Sequence, residues 1–178
     1  NSTQTITVAG GGTETFKYFG VNKSANNVQL TSSPATNVIV NGSTGDVLQW
    51  LGSAGGIDLN GRTFTLNAGG GNILTNTAAH TITGSAGSIF SFNYDGVKTV
   101  TVTSGGTLLF DNNVLVKITA ASTTAGVDFG SFLTTINGTL QMNGGSYVLN
   151  NAPTYGTGSL LQYNSGGVYN RTVEWGTT

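Results

Sequence analysis

Single apolar residues recur along this chain in a frame of threonine: Phe64 between Thr63 and Thr65, Ile82 between Thr81 and Thr83, Val100 between Thr99 and Thr101. The spacing is even, and Lys117-Ile118-Thr119 and Thr135-Ile136-Asn137 continue it in weaker form. Strict alternation marks a half-buried strand, because successive side chains leave a strand on opposite faces. A second apolar set trails each triplet, at Ile73 with Leu74, Ile89 with Phe90, Leu108 to Phe110, and Val127 with Phe129. Between the two sets stand glycines, Gly69 to Gly71, Gly87 and Gly105-Gly106, which supply the positive φ of sharp corners. A recurrence of about 18 residues is too short for helical-pair arrays and suits one turn of a solenoid. The predicted fold is all-β, a single-stranded right-handed parallel β-helix with three short strands and about 18 residues per turn. From Gly45 to Asn170 this gives roughly seven rungs, a stack some 34 Å long at about 4.8 Å per rung. The central residues of the triplets then form one inward column and the threonines one outward ladder.

Residues 1–44 fit the spacing less well. Thr5-Ile6-Thr7-Val8 before Gly10 reads as a strand and corner, and Val28 with Leu30 and Val38 with Val40 alternate like strands. Phe16, Tyr18 and Phe19 are large for this interior, and Pro34 interrupts the pattern. The segment is expected to form irregular first rungs or a cap over the open end of the β-helix that occupies 45–178.

Composition narrows the class. The chain has 178 residues, 7% charged and 28 of them glycine, with a net charge of −1. Its richness in Val, Ile and Thr separates it from disordered glycine-rich chains. Six Lys and Arg give no footprint for a phosphate backbone and no polybasic patch, so neither nucleic acid nor membrane insertion is expected. Cysteine is absent, which removes disulfides and thiolate metal sites. No apolar run approaches the roughly 18 residues of a spanning helix. The ends lack a recognisable targeting signal or stop, as in a processed product or a piece of something longer.

The titratable inventory is Glu14, Asp46, Asp58, Asp95, Asp111, Asp128, Glu174 and a single histidine, His80. In the register of the threonine triplets four aspartates fall in neighbouring columns, which reads as a line of turn residues along one corner or as an acidic cluster. His80 has no second His or Cys to share a metal and reads as a surface residue, so no metal or cofactor is expected. Asparagine gathers at corners, as in Asn60-Gly61, Asn137-Gly138 and Asn150-Asn151, where it adopts left-handed conformations or stacks in ladders. Tyr155, Tyr163, Tyr169 and Trp175 are the candidate contacts for a ligand, with a terminal cap as the structural alternative. Thr63, Thr65, Thr81, Thr83, Thr99 and Thr101 are the second candidate set. Regular Thr-x-Thr on a flat solenoid face resembles the ice-binding surface of several antifreeze proteins.

Two stretches carry a further resemblance. Gly56-Ile57-Asp58-Leu59-Asn60-Gly61-Arg62-Thr63-Phe64-Thr65-Leu66, and Ala152 to Asn164 with the later Val173-Glu174-Trp175, resemble repeat regions of large secreted adhesin-like proteins of the Bacteroidetes. The resemblance implies export to the cell surface, often by the type 9 secretion route, and β-helical regions that act as stalks or binding surfaces. It carries no catalytic residues over. The expected function is an extracellular structural or adhesive segment of a bacterial surface protein, not an enzyme. Its uncharged polar face would meet a glycan, a partner protein or another copy. The alternatives are a polysaccharide-binding or polysaccharide-acting β-helix and an ice-binding protein.

Overall fold

A computed structural model describes residues 2–67, 72–75, 78–102, 105–120, 124–130, 133–164 and 173–175. Tyr169 and the glycines Gly69 to Gly71 and Gly166-Gly167 lie outside them. Among the described residues the chain forms three parallel sheets and a single 3-10 turn, Val173–Trp175. The first sheet stacks Gln4–Ile6, Val28–Leu30, Ile57–Asp58, Ala79–Thr83, Thr107–Phe110, Thr134–Ile136 and Thr154–Tyr155. The second stacks Gly12–Phe16, Thr36–Val40, Thr63–Leu66, Ser88–Asn93, Val114–Thr119, Thr139–Asn143 and Leu160–Asn164. The third stacks Phe19–Val21, Asp46–Trp50, Asn72–Thr75, Gly96–Val102, Ala125–Asp128 and Ser146–Val148. The chain visits the sheets in rotation, so the fold is the expected parallel β-helix with three strands to a turn.

The turn is longer than the threonine spacing predicts. Phe64 pairs with Phe90 and Phe90 with Val116, so one full turn takes about 26 residues, the same separation that lets Asn93 bond Asn67. The shorter recurrence is two sides of the triangle instead of three: Thr63–Leu66 belongs to the second sheet, Ala79–Thr83 to the first and Gly96–Val102 to the third. Sides of similar length carry the same alternation, so the pattern repeats side by side as well as rung by rung. The second apolar set is simply the next side. Seven strands in each of two sheets therefore span the described chain from Gln4 to Asn164, where the shorter period placed seven rungs after Gly45 alone. Residues 4–40 supply ordinary strands to all three sheets, with Gln4 paired to Val28 and Thr13 to Asn37.

Inward columns run the length of the stack. In the second sheet Val38, Phe64, Phe90, Val116 and Leu140 align, and Val40, Leu66, Phe92, Ile118 and Met142 align beside them, all buried. Phe64 and Phe90 stack with centroids 5.6 Å apart and planes 5° from parallel, while Phe110 meets Phe90 edge-on at 5.3 Å. Phe16 and Phe19, large for a β-helix interior, pack edge-on at 5.5 Å, and Phe19 reaches Phe64 at 5.3 Å.

Besides small buried groups such as Ser88, Thr134 and Ser146, two large ionisable residues break the apolar columns. Lys98 pairs with Val127 in the third sheet and is 1% exposed, its Nζ 4.2 Å from the centroid of the Tyr94 ring. Burial lowers the Lys98 ammonium to about 8. The Tyr94 hydroxyl donates to the Gly126 carbonyl, and burial pushes the phenol well above its usual range, against the pull of a hydrogen bond from the Lys98 backbone. His80 is the second exception, and here the expected surface histidine is corrected. It is 1% exposed, its Nδ1 donates to the Gly55 carbonyl at 2.9 Å, and its ring stacks on Trp50 at 5.7 Å. The cause is alternation: His80 stands two residues before inward Ile82.

Outside the second sheet a ladder of amides follows the axis. Asn93 Nδ2 donates to Asn67 Oδ1 at 3.0 Å, Asn143 Nδ2 to Thr119 Oγ1 at 2.9 Å, and Asn164 Nδ2 to Asn143 Oδ1 at 3.0 Å. Gln141 and Gln162 add a parallel link at 3.0 Å. At corners Asn26, Asn60 and Asn150 take positive φ, the left-handed role expected of asparagine there.

Candidate binding site

The threonine set does not come together. Thr63 and Thr65 face outward from the second sheet, Thr81 and Thr83 from the first, and Thr99 and Thr101 from the third. No sheet holds more than one of the three triplets, so their rungs build no common ladder. Above and below Thr63 the same outward column holds Asn37, Ile89, Leu115, Thr139 and Leu160. A shallow groove of about 290 Å³ runs over Ile89, Leu115 and Thr139 beside the turn at Asn112-Asn113.

The aspartates also separate. Of the four expected in neighbouring columns, Asp58 ends and Asp111 follows a strand of the first sheet, while Asp95 precedes and Asp128 ends a strand of the third, so there is no single acidic line. Asp58 and Asp128 each brace a local turn and a neighbouring rung. Asp58 accepts from Asn60 N at 2.9 Å and from Gln29 Nε2 at 2.6 Å. Asp128 accepts from Gly130 N at 2.9 Å, Asn151 Nδ2 at 2.9 Å and Asn150 Nδ2 at 3.0 Å. Among the described residues no group of three or more His, Cys, Asp or Glu could hold a metal.

Of the aromatic set, Tyr155, Tyr163 and Trp175 converge at the end of the described rungs. Tyr155 continues the inward column of Ile136 in the first sheet, and Leu161 and Tyr163 continue those of Leu140 and Met142 in the second. The 3-10 turn Val173–Trp175 packs against them and buries Glu174 completely. Tyr163 Oη donates to Glu174 Oε1 at 2.7 Å, and Tyr155 Oη donates to the Glu174 carbonyl. Burial, with Glu174 and Tyr163 nearby, raises the Tyr155 phenol well above its usual range. The Trp175 ring lies over Tyr163 with centroids 6.5 Å apart and is 53% exposed.

These contacts give the cap its structure: two phenols reach from the last inward columns and pin one turn of chain across them. Beside the cap they leave a cleft of about 290 Å³ lined by Tyr155, Ser159, Leu161 and Trp175. Cap and contact surface are thus one assembly. Ser159 and Leu161 escaped sequence reasoning as site residues, although Leu161 stands two residues before Tyr163 and so shares its face. Glu174 was visible only as one more acid; its burial depends on chain far from Tyr155. Comparison with protein-family models, curated proteins and solved structures finds no match to this chain.

Proposed function

We propose that this chain is an extracellular structural and adhesive segment of a bacterial surface protein, a stiff scaffold that carries an uncharged polar face to a glycan or a surface protein. The observation that carries the reading is the stack of three parallel sheets on one aromatic and aliphatic core, in a chain of which only 7% is charged. Each rung bonds to the next through backbone ladders and amide links, so load and shape pass along the axis without a hinge. One outward column of the second sheet reads Thr65, a largely covered Ser91, Lys117, Gln141 and Gln162, one cation among neutral hydrogen-bonding groups. Such a face suits polyhydroxylated partners better than charged polymers. Secretion, by the type 9 route, is supported by the resemblance to Bacteroidetes adhesin-like repeats. Catalysis is not part of the proposal, since Asp58 and Asp128 are engaged in turns. Ice binding loses its basis with the threonine ladder divided among three faces.

The test is adhesion under flow. Beads carrying the chain should be retained on surfaces coated with neutral polysaccharide or host-type glycoprotein, and retention should survive added salt. Beads that wash off every such surface as readily as uncoated ones would sink the reading.

A further inference from the structure

The composition of the terminal cleft selects an occupant. Two of its four walls are aromatic rings, Tyr155 and Trp175, one is the aliphatic Leu161, and one carries the hydroxyl of Ser159. A volume of about 290 Å³ lies at the small end of ligand sites, room for one six-membered ring and not for a run of them. Trp175 leaves about half of its surface open. The Ser159 hydroxyl makes no hydrogen bond among the described residues, whereas the Tyr155 phenol is committed to the Glu174 carbonyl. The cleft therefore offers one uncommitted donor and acceptor beside apolar ring faces. Among the described residues no charged side chain lines it, and the Glu174 carboxylate beside it is wholly buried and accepts from Tyr163. A carboxylated, sulfated or phosphorylated ligand would find no counter-charge on these four side chains. A wholly apolar ligand would leave the serine hydroxyl desolvated and unpaired.

We infer that this cleft binds a single uncharged sugar ring, the terminal residue of a neutral glycan, with its C–H face against Trp175 and a ring hydroxyl on Ser159 Oγ. The inference rests on the adhesive reading and gives it a place and a ligand class. The experiment is an array of neutral and acidic glycans probed with wild type, Ser159→Ala and Trp175→Ala, each with the circular dichroism of the wild type. Wild type should be retained on glycans ending in a neutral hexose or N-acetylhexosamine. Trp175→Ala should lower that retention by about ten-fold or more, and Ser159→Ala by about three- to ten-fold, the worth of one hydrogen bond. Neutral-glycan binding undiminished in both variants would overturn the cleft and leave the adhesive reading standing. Binding confined to acidic glycans, or to protein-coated surfaces only, would do the same. Loss of all adhesion by wild type would remove both. Should Trp175→Ala fail to fold, Ser159→Ala decides alone, because that residue lies outside the apolar columns.

Discussion

Two stretches of the interior share one backbone geometry and are filled in opposite ways. In the second sheet the column from Val38 to Leu140 places only hydrocarbon in the core, with Phe64 and Phe90 face to face. In the third sheet the same kind of position, in register with Val127, holds the amine of Lys98 over the ring of Tyr94. The strand stays in parallel pairing at that rung, Lys98 opposite Val127 on one side, while its pairing with Asn72–Thr75 on the other is taken up at Val100. Register is thus set by the backbone and by a majority of apolar columns, while a single column tolerates a polar group given an aromatic face and hydrogen-bonded neighbours. What differs is the energetic sign of the side chain.

The largest effect is expected on the apolar side. Phe90 touches Phe64, Phe92 and Phe110, so Phe90→Ala should destabilise by about 3–5 kcal/mol in urea unfolding, the range for a large buried aromatic lost from a packed core. A cost below about 1 kcal/mol would mean that the stack is not the main support of the central rungs.

Lys98→Met should act in the opposite direction, raising stability by about 2 kcal/mol at neutral pH, because the native state holds an ammonium at a desolvation cost. The same cause fixes a pH dependence. With the native amine lowered to about 8 and the unfolded one at 10.5, the unfolded chain binds more protons between those values. Wild-type stability should therefore rise as pH climbs from about 8 towards 10 and fall back to its plateau value below 8. Above about 10 the sign reverses, because Tyr94 and Tyr155 ionise in the unfolded chain and resist ionising in the native one. Thermal melts from pH 7 to 10.5 should show this rise in wild type and lose it in Lys98→Met. A flat wild-type profile would erase the distinction between the two stretches.

Smaller changes refine it. Tyr94→Phe strips the hydroxyl bonded to the Gly126 carbonyl and should cost about 1–2 kcal/mol, more than a surface tyrosine would. Asn93→Ala removes one link of the outer amide ladder, at about 0.5 kcal/mol, since water replaces a partly exposed partner. Denaturant midpoints at one pH rank both against Phe90→Ala.

The alternation that places Phe64, Ile82 and Val100 inside is plain in the sequence, and it foretold a three-stranded turn. It did not foretell the turn's length, because pairing partners, not local spacing, distinguish the next side from the next rung. His80 and Lys98 carried a readable signal, each two residues before an inward residue, but polarity argued for the surface and parity won. Tyr155, Tyr163 and Trp175 were legible as a set by their aromatic character. Their meeting over Glu174 was not, since it depends on where the chain crosses after the last rung.

The rungs are unequal. The circuit from Phe64 to Phe90 is longer than the one from Leu140 to Leu161, and that in turn is longer than the one from Ile136 to Tyr155. The last described turn is thus shorter than the central ones, and the outermost strands of the second sheet, Gly12–Phe16 and Leu160–Asn164, hold no fully buried side chain. Opening by heat or by pulling then has preferred origins: amide exchange should begin at the two ends and advance towards the phenylalanine-rich middle, a rod that frays like a cut rope.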